Sequence, residues 1–186
     1  MHEILDIWDE NGCPTGNSAP KDNLHQKGLF HPTVHIWFYN HTPAILLQKR
    51  SPNTQIFPNL WDVSVAGHVV AGETILEAAL REIKEEIGLV VGSTDLEMLR
   101  VQKNINKFPN GITDCEFQHV YLCELPVDVT VLKLQSEELE AVRLFSFEEI
   151  NQCQLGKHKD FKIVPADMQY YSCLLYTSPS PRDNLR

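Results

Sequence analysis

Three glutamates near the middle of the chain are the side chains best suited to carry chemistry. Glu82, Glu85 and Glu86 are spaced three and four residues apart, so a helix would place them on one face. Like charges at these spacings destabilise a helix slightly unless a cation compensates them. Carboxylate oxygens at this density suit a hard divalent ion, and the sequence therefore predicts a Mg²⁺ or Mn²⁺ site here.

The residues around these glutamates extend the cluster into a longer pattern. The pattern is Gly67-x5-Glu73-x7-Arg81-Glu82-Ile83-x-Glu85-Glu86-x-Gly88-Leu89. Gly67 has no side chain, which lets a loop backbone approach an ion closely. Glu73 and Arg81 are about two helical turns apart and can pair to fix the loop against the helix. A solvent-exposed acidic helix would explain the glutamates alone, but not the match at all of these positions.

The elements that must position these residues form a mixed sheet with few helices. Hydrophobic residues at helical spacing over 74–87, closed by Gly88, predict the main helix. Extended or alternating segments predict strands at 4–8, 33–39, 44–50, 61–69, 96–104, 115–124 and 141–145. Further helices are predicted at 146–152 and 165–171, and the segment 51–60 is expected to be a loop. The polar stretch that ends at Lys27 shows no strand or helix pattern.

The composition limits the class of protein and its partners. With 186 residues, 42% of them hydrophobic and 22% charged, the chain is neither disordered nor collagen-like. It has no apolar run near the ~20 residues that a membrane span needs. The net charge of -9 argues against a nucleic acid as the main partner. We expect no membrane partner, and a monomer or a homodimer.

The cysteines and the two ends of the chain predict location and domain limits. Five cysteines without a C-x-x-C spacing, and a start that lacks a secretion-signal pattern, favour reduced thiols and a cytoplasmic protein. One domain is expected over residues 1–172. Residues 173–186 begin CLLYTSPSPRD, which resembles the translation of a sequencing-library adapter, so we expect this tail to be non-native. A disordered tail rich in proline and serine is the alternative.

The pattern over residues 67–89 is the Nudix box, and the chain resembles the Nudix hydrolase superfamily over about residues 1–170. The resemblance implies an α+β fold, an α/β/α sandwich around a mixed sheet, with the box as loop–helix–loop. It also implies metal-dependent hydrolysis of a diphosphate linked to a moiety X. The metal ligands that it implies are Gly67, through its carbonyl, Glu82, Glu85 and Glu86. A box glutamate, or Glu137 or Glu138 on a later loop, would accept the proton from water.

A second resemblance is narrower and concerns the residues that lead into the box. Phe57-Pro58-x-x-Trp61-Asp62-x-Ser64-x-Ala66-Gly67-His68 resembles isopentenyl diphosphate isomerase, which has the Nudix fold but does not hydrolyse its substrate. That family builds a further metal site from three histidines and two carboxylates. The residues at the corresponding places here are His25, His31, His68, Asp114 and Glu116. Asp114 replaces a glutamate of the family, and Glu116 is also a candidate catalytic residue.

Other positions follow the isomerase pattern only in part. Lys21 and Arg50 match diphosphate contacts of the isomerases, whereas Thr54 stands where a lysine is expected. His35 and His119 match no ligand of the family, so we expect them to be structural.

Two departures argue against isomerase activity. Ala66 stands at the place of the catalytic cysteine, and its methyl group can neither give nor accept a proton, whereas isomerisation needs both an acid and a base. Glu82 and Glu85 replace an arginine and a tyrosine of the isomerases, which restores the hydrolytic set. We therefore expect a hydrolase that cleaves prenyl or nucleoside diphosphates. The alternatives are an active isomerase and a non-catalytic Nudix-fold sensor.

Overall fold

A computed structural model describes residues 3–42, 44–166 and 170–171. The expected tail 173–186 and the centre of the predicted helix 165–171 lie outside the described residues. The described part contains these strands and helices: β1 Ile4–Trp8, β2 Pro14–Pro20, α1 Lys21–Lys27, β3 Phe30–Asn40, β4 Ala44–Arg50, β5 Trp61–Asp62, β6 Val65–His68, α2 Ile75–Ile87, β7 Glu97–Lys107, β8 Thr113–Glu124, β9 Leu139–Ser146 and α3 Phe147–Gln154. The predicted mixture of one sheet with few helices is confirmed.

The polar stretch that ends at Lys27, to which the sequence pattern assigns neither a strand nor a helix, is where the structure differs most from the prediction. It contains β2 and the short helix α1. Strand β2 has the sequence PTGNSAP, which is largely exposed and lacks the hydrophobic alternation that signals a strand. It is extended because it pairs with β1 in an antiparallel hairpin. The predicted strand 61–69 is also divided, into β5 and β6.

The described residues group into two compact units. The first contains 3–36, 65–84 and 90–122, and the second contains 37–42, 44–64, 85–89, 123–166 and 170–171. In the first unit β3 pairs with β6, which sets Val34 opposite Gly67 and Thr33 opposite His68. Strands β7 and β8 form a long antiparallel hairpin in the same unit. These pairings fix the positions of most candidate site residues.

The second unit is built on an antiparallel pair of strands and a capped helix. Strand β4 pairs with β9 along its whole length. Trp61 and Phe145 pack edge to face with ring centroids 4.9 Å apart. Ser146 begins α3, because its hydroxyl accepts a hydrogen bond from the Glu149 amide while the Glu149 carboxylate accepts one from the Ser146 amide.

Helix α2 carries the three glutamates, and local interactions define both of its ends. Before the helix, the Thr74 hydroxyl and the Glu77 carboxylate bond reciprocally to each other's backbone N–H groups. After it, Gly88 has φ +67°, a left-handed conformation that glycine adopts without strain. The described helices include none that is long and apolar enough to cross a lipid bilayer.

Candidate functional site

Gly67 and Glu82 lie in direct contact. Gly67 is on β6, and a Cβ atom added to it would lie 2.0 Å from Cδ of Glu82. Any residue other than glycine at position 67 would therefore displace this carboxylate. Glu82 is only 7% exposed, and its Oε1 accepts a hydrogen bond of 2.7 Å from Nη1 of Arg81. The glycine thus makes the space in which a buried glutamate sits.

Glu73 and Arg81 form the ion pair that ties the loop to the helix. Nε and Nη2 of Arg81 donate to the two carboxylate oxygens of Glu73 at 2.9 and 3.0 Å, a two-point geometry that fixes both side chains. Nη2 also donates to the carbonyl of His68 at 2.9 Å, and Glu73 accepts from the Val70 amide at 3.1 Å. One arginine therefore holds the loop, the end of β6 and Glu82 together.

The three glutamates of α2 differ in exposure, although they are close in sequence. Glu82 is 7% exposed and Glu86 is 2% exposed, whereas Glu85 is exposed. Glu82 and Glu86 are one helical turn apart, so they lie on the same side of α2. The sequence pattern does not distinguish them from Glu85. The exposed Glu85 is the one that can be changed with the least effect on packing.

Three histidine rings from three elements meet in the first unit. His25 comes from α1, His31 from β3 and His68 from β6. Their ring centroids are 5.3 to 5.8 Å apart, and one nitrogen of each lies within 4.8 Å of one nitrogen of each of the others. These are distances at which a single metal ion can be shared.

Two carboxylates of β8 complete this cluster. Asp114 and Glu116 alternate along the strand, so they lie on one face of it, and each offers an oxygen within 4.8 Å of a ring nitrogen of His31. Oδ1 of Asp114 is 3.6 Å from Nε2 of His25 and 3.6 Å from Nε2 of His31. We refer to these five residues, His25, His31, His68, Asp114 and Glu116, as the histidine cluster.

The protonation state of the cluster fits a metal ligand set. Burial lowers the pKa of His25 to about 4, helped by the charges of His31 and Lys21. Burial likewise lowers the pKa of His31 and of His68 below the ordinary value of 6.5. The rings are therefore neutral near pH 7, which is the form that binds metals.

The hydrogen bond of His31 decides which of its nitrogens faces the cluster as a ligand. Nδ1 lies 3.1 Å from the Leu29 carbonyl, which can only accept, so Nδ1 carries the hydrogen and Nε2 carries the lone pair. Nε2 of His25 and Nε2 of His31 are buried and have no hydrogen-bond partner within the described part of the chain. A lone pair facing a carboxylate oxygen at 3.6 Å is repulsive without a cation, so this donor set fits a divalent ion.

The depressed histidine pKa values predict a pH dependence of stability in the metal-free protein. Between about pH 4 and 6.5 the unfolded chain binds protons that folded His25 does not, so the free energy of unfolding should rise with pH over this range. One such histidine adds up to about 1.4 kcal/mol per pH unit. The free energy of unfolding, measured with urea in the presence of a chelator at several pH values, should rise more steeply with pH for the parent than for His25→Asn. Equal slopes would contradict the buried neutral ring.

The two residues expected to contact a diphosphate are each paired with a carboxylate. Lys21 Nζ is 3.0 Å from Oε2 of Glu3, in the first unit. Arg50 donates through Nη1 to Asp62 at 3.0 Å and through Nε to the Ile56 carbonyl at 3.0 Å, in the second unit. Because Arg50 has five N–H donors, these two bonds orient the guanidinium without using all of them.

The remaining candidates have structural surroundings. The ring of His119 packs edge to face against Trp8 at 5.5 Å, and its Nδ1 lies 3.1 Å from the carbonyl of Phe117. His35 is directly opposite Ala66 in the pairing of β3 with β6. Sequence reasoning missed Gln118, a buried glutamine on β8 that donates to Oε2 of Glu116 at 2.7 Å. Its signal was available, because Asp114, Glu116 and Gln118 alternate on one strand face.

Comparison with known proteins gives consistent results. A family model described as NUDIX domain matches residues 29–167. The chain is 37% identical over 155 residues to Nudix hydrolase 3 of Arabidopsis thaliana. The aligned region covers 79% of the chain but only 20% of the length of that relative. It is 31% identical over 155 residues to isopentenyl-diphosphate Delta-isomerase of Pectobacterium atrosepticum, with 83% of each covered.

A solved structure shares the fold. The crystal structure of DR0079 from Deinococcus radiodurans matches 86% of the chain and 93% of its own length, with a TM-score of 0.65 and 22% identity. The fold class expected from the sequence is thereby confirmed.

Proposed function

This chain belongs to the Nudix hydrolase family, and on that premise we propose that it cleaves the diphosphate linkage of a prenyl diphosphate or of a nucleoside di- or triphosphate. Nudix hydrolases generally need divalent metal ions. The observation that carries the proposal is the arrangement of the box. Its Glu73–Arg81 ion pair is formed, and Glu82 on α2 lies against Gly67 on β6. Glu85 and Glu86 are on the same helix as Glu82.

In this proposal the box glutamates and the histidine cluster have separate tasks. Glu82, Glu85 and Glu86, with the Gly67 carbonyl, hold Mg²⁺ or Mn²⁺ at the diphosphate. A bound divalent cation neutralises diphosphate charge and makes water a better nucleophile at neutral pH. The histidine cluster holds a second ion through neutral imidazoles and two carboxylates, a donor set that suits Mn²⁺, Zn²⁺ or Mg²⁺.

The proposed substrate contacts follow the resemblance to the isomerases, and the proposed proton acceptor follows from the chemistry of the attacking water. Lys21 and Arg50 bind diphosphate oxygens, with Arg50 held in orientation by Asp62. The proton acceptor is a carboxylate, because the attacking water must lose a proton as the phosphoanhydride breaks. Glu116 and the box glutamates are candidates for this role, and so are the exposed Glu137 and Glu138.

A panel of diphosphates tests the proposal. The full chain should release phosphate or pyrophosphate from at least one prenyl or nucleoside substrate when Mg²⁺ or Mn²⁺ is present, and activity should stop in chelator and return when the metal is restored. The Glu82→Gln variant serves as the inactive reference, since it removes a box carboxylate. Tight binding of a diphosphate without turnover by any metal form would favour the non-catalytic sensor instead.

Isomerisation of isopentenyl diphosphate is the second candidate function, and the assembled histidine cluster is the observation that favours it. We expect no isomerisation, because Ala66 lacks the proton-transferring group that the isomerase places there. Incubation of the protein with isopentenyl diphosphate should give either no reaction or phosphate release, measured by phosphorus NMR. Formation of dimethylallyl diphosphate without release of phosphate would reverse this assignment.

A further inference from the structure

A row of polar side chains crosses the hairpin of β7 and β8 beside the histidine cluster. The antiparallel register places Gln102 directly opposite Gln118 and Asn104 directly opposite Glu116. Residues two apart in a strand lie on the same face, so Arg100 and Gln102 share one face of β7 while Gln118 and Glu116 share one face of β8. The hairpin register therefore brings two glutamines and an arginine into line with Glu116.

These side chains form a continuous series of hydrogen bonds. Nη2 of Arg100 donates to Oε1 of Gln102. Nε2 of Gln102 donates to Oε1 of Gln118 at 2.6 Å, and Nε2 of Gln118 donates to Oε2 of Glu116 at 2.7 Å. The series begins on an arginine and ends on a carboxylate that belongs to the histidine cluster.

The direction of this series is fixed by chemistry at both ends, because the carboxylate of Glu116 can only accept and the guanidinium of Arg100 can only donate. A guanidinium group can only donate, so the amide of Gln102 must turn its oxygen toward Arg100 and its NH₂ group toward Gln118. The oxygen of Gln118 is then the acceptor for Gln102, and its NH₂ group is turned toward Glu116. A glutamine amide alone has no such preference, because its two ends are nearly equal in shape.

Burial makes this orientation consequential. Gln118 is 5% exposed and Glu116 is 9% exposed, so water cannot readily replace a lost partner at either group. The Gln118 amide holds one oxygen of the Glu116 carboxylate, and this fixes the plane of a group that lies within 4.8 Å of ligand atoms of His31 and Asp114. A buried glutamine costs stability unless its amide is bonded at both ends, as it is here.

We propose that Gln118 is a positioning residue that orients Glu116 toward a metal ion in the histidine cluster, and that Gln102, itself oriented by Arg100, supports the direction of its amide. This inference rests on the metal site in the proposed function. Groups that hydrogen-bond to a metal ligand typically affect metal affinity or activity by about 10- to 100-fold when they are changed. Gln118 acts on the metal through Glu116, without touching the metal itself.

The decisive variant is Gln102→Glu, which changes the direction of the series without changing its size. The new carboxylate still accepts from Arg100 but has no hydrogen to donate. The Gln118 amide should therefore rotate, with its NH₂ group toward the new carboxylate and its oxygen toward Glu116. Because two oxygens then repel, Mn²⁺ affinity at the histidine cluster should fall by about 10-fold or more. Val101→Glu is the matched control, since it adds the same charge on the exposed opposite face of β7.

Metal binding and stability are read out separately from activity. Mn²⁺ titration of the full chain, followed by electron paramagnetic resonance, gives the affinity, and the binding step that disappears in His25→Asn identifies the histidine cluster. Metal-free Gln102→Glu should still unfold in one transition, with a melting temperature lower than that of the parent by several degrees, because the turned Gln118 amide loses its bond to Glu116. Arg100→Lys should keep the parent affinity, because lysine is also only a donor. Arg100→Met should lose less affinity than Gln102→Glu, because the Glu116 carboxylate still accepts from the Gln118 NH₂ group.

The outcomes separate this inference from the proposed function. If the parent binds Mn²⁺ in a step that His25→Asn removes, and Gln102→Glu binds as well as Val101→Glu, the positioning role is wrong and the metal site stands. If His25→Asn binds Mn²⁺ as the parent does, the histidine cluster is not a metal site. The second metal site of the proposed function and the positioning role of Gln118 are then both overturned. Weaker binding by Gln102→Glu than by Val101→Glu, with Arg100→Lys at parent level, supports the role of Gln118.

Discussion

Glu85→Gln is expected to lower the rate of diphosphate hydrolysis by about 100-fold or more while leaving the fold intact. The substitution exchanges a proposed metal ligand for a neutral amide of the same shape, and a metal contact of this kind stabilises the transition state by several kcal/mol. Glu85 is exposed on α2, so its replacement should change the free energy of unfolding by no more than about 0.5 kcal/mol. Steady-state kinetics with Mg²⁺ and thermal unfolding measure the two effects.

The matched control for this prediction is Glu97→Gln, which removes one negative charge at an exposed position of β7. It should hydrolyse substrate at the parent rate. If Glu85→Gln turned over as fast as Glu97→Gln, the assignment of Glu85 to the metal would be wrong. A large loss of stability in Glu85→Gln would show instead that the residue has a structural task.

Gly67→Ala should abolish most of the activity and also lower stability. The added methyl group would lie 2.0 Å from Cδ of Glu82, and this carboxylate is held by Arg81, so either the side chain or β6 must shift. Overpacking of this kind typically costs about 1–3 kcal/mol. Because the displaced group is a candidate metal ligand, the hydrolytic rate should fall by about 100-fold or more. Chemical unfolding and kinetics on the same preparation test both parts.

Two further variants separate the steric effect at Gly67 from general glycine effects. Gly72→Ala is in the loop between β6 and α2, at φ +82° with no atom within 4 Å of the added methyl group, so it introduces backbone strain without touching Glu82. It should lose some stability and keep its activity. Gly67→Ala combined with Glu82→Ala removes the three Glu82 atoms that the methyl group would meet, so the steric part of the stability loss should be relieved while activity stays low. Full activity in Gly67→Ala would disprove the close packing.

The site joins features of two groups of relatives. The box has the full set of glutamates, which fits the Nudix hydrolases among the relatives, whereas the histidine cluster has the residue types that the resemblance to the isomerases implies. Ala66 distinguishes the chain from the isomerases in the proposed function, because its methyl group cannot transfer a proton. The chain therefore combines a candidate metal site of isomerase-like residue types with a complete Nudix box.

Local sequence patterns predicted the elements in which neighbouring residues determine the conformation. The hydrophobic spacing and Gly88 were sufficient for α2, and the capping pair of Ser146 and Glu149 marks the start of α3. Strand β2 escaped prediction because its exposed polar residues show no alternation, and only its pairing with β1 makes it extended. The alternation of Gln118 with Asp114 and Glu116 could be read from the sequence, but its bond to Gln102 depends on the register of β7 with β8.

By itself, the sequence determined the identity of the box, its helix and the residue types of both candidate metal sites. The tertiary structure decided that His25, His31, His68, Asp114 and Glu116 meet. It also decided that Glu82 and Glu86 are buried while Glu85 is exposed. Helical and strand patterns depend on neighbours a few residues away, so they can be read from one chain. The meeting of side chains from α1, β3, β6 and β8 depends on strand register and packing, which no local pattern contains.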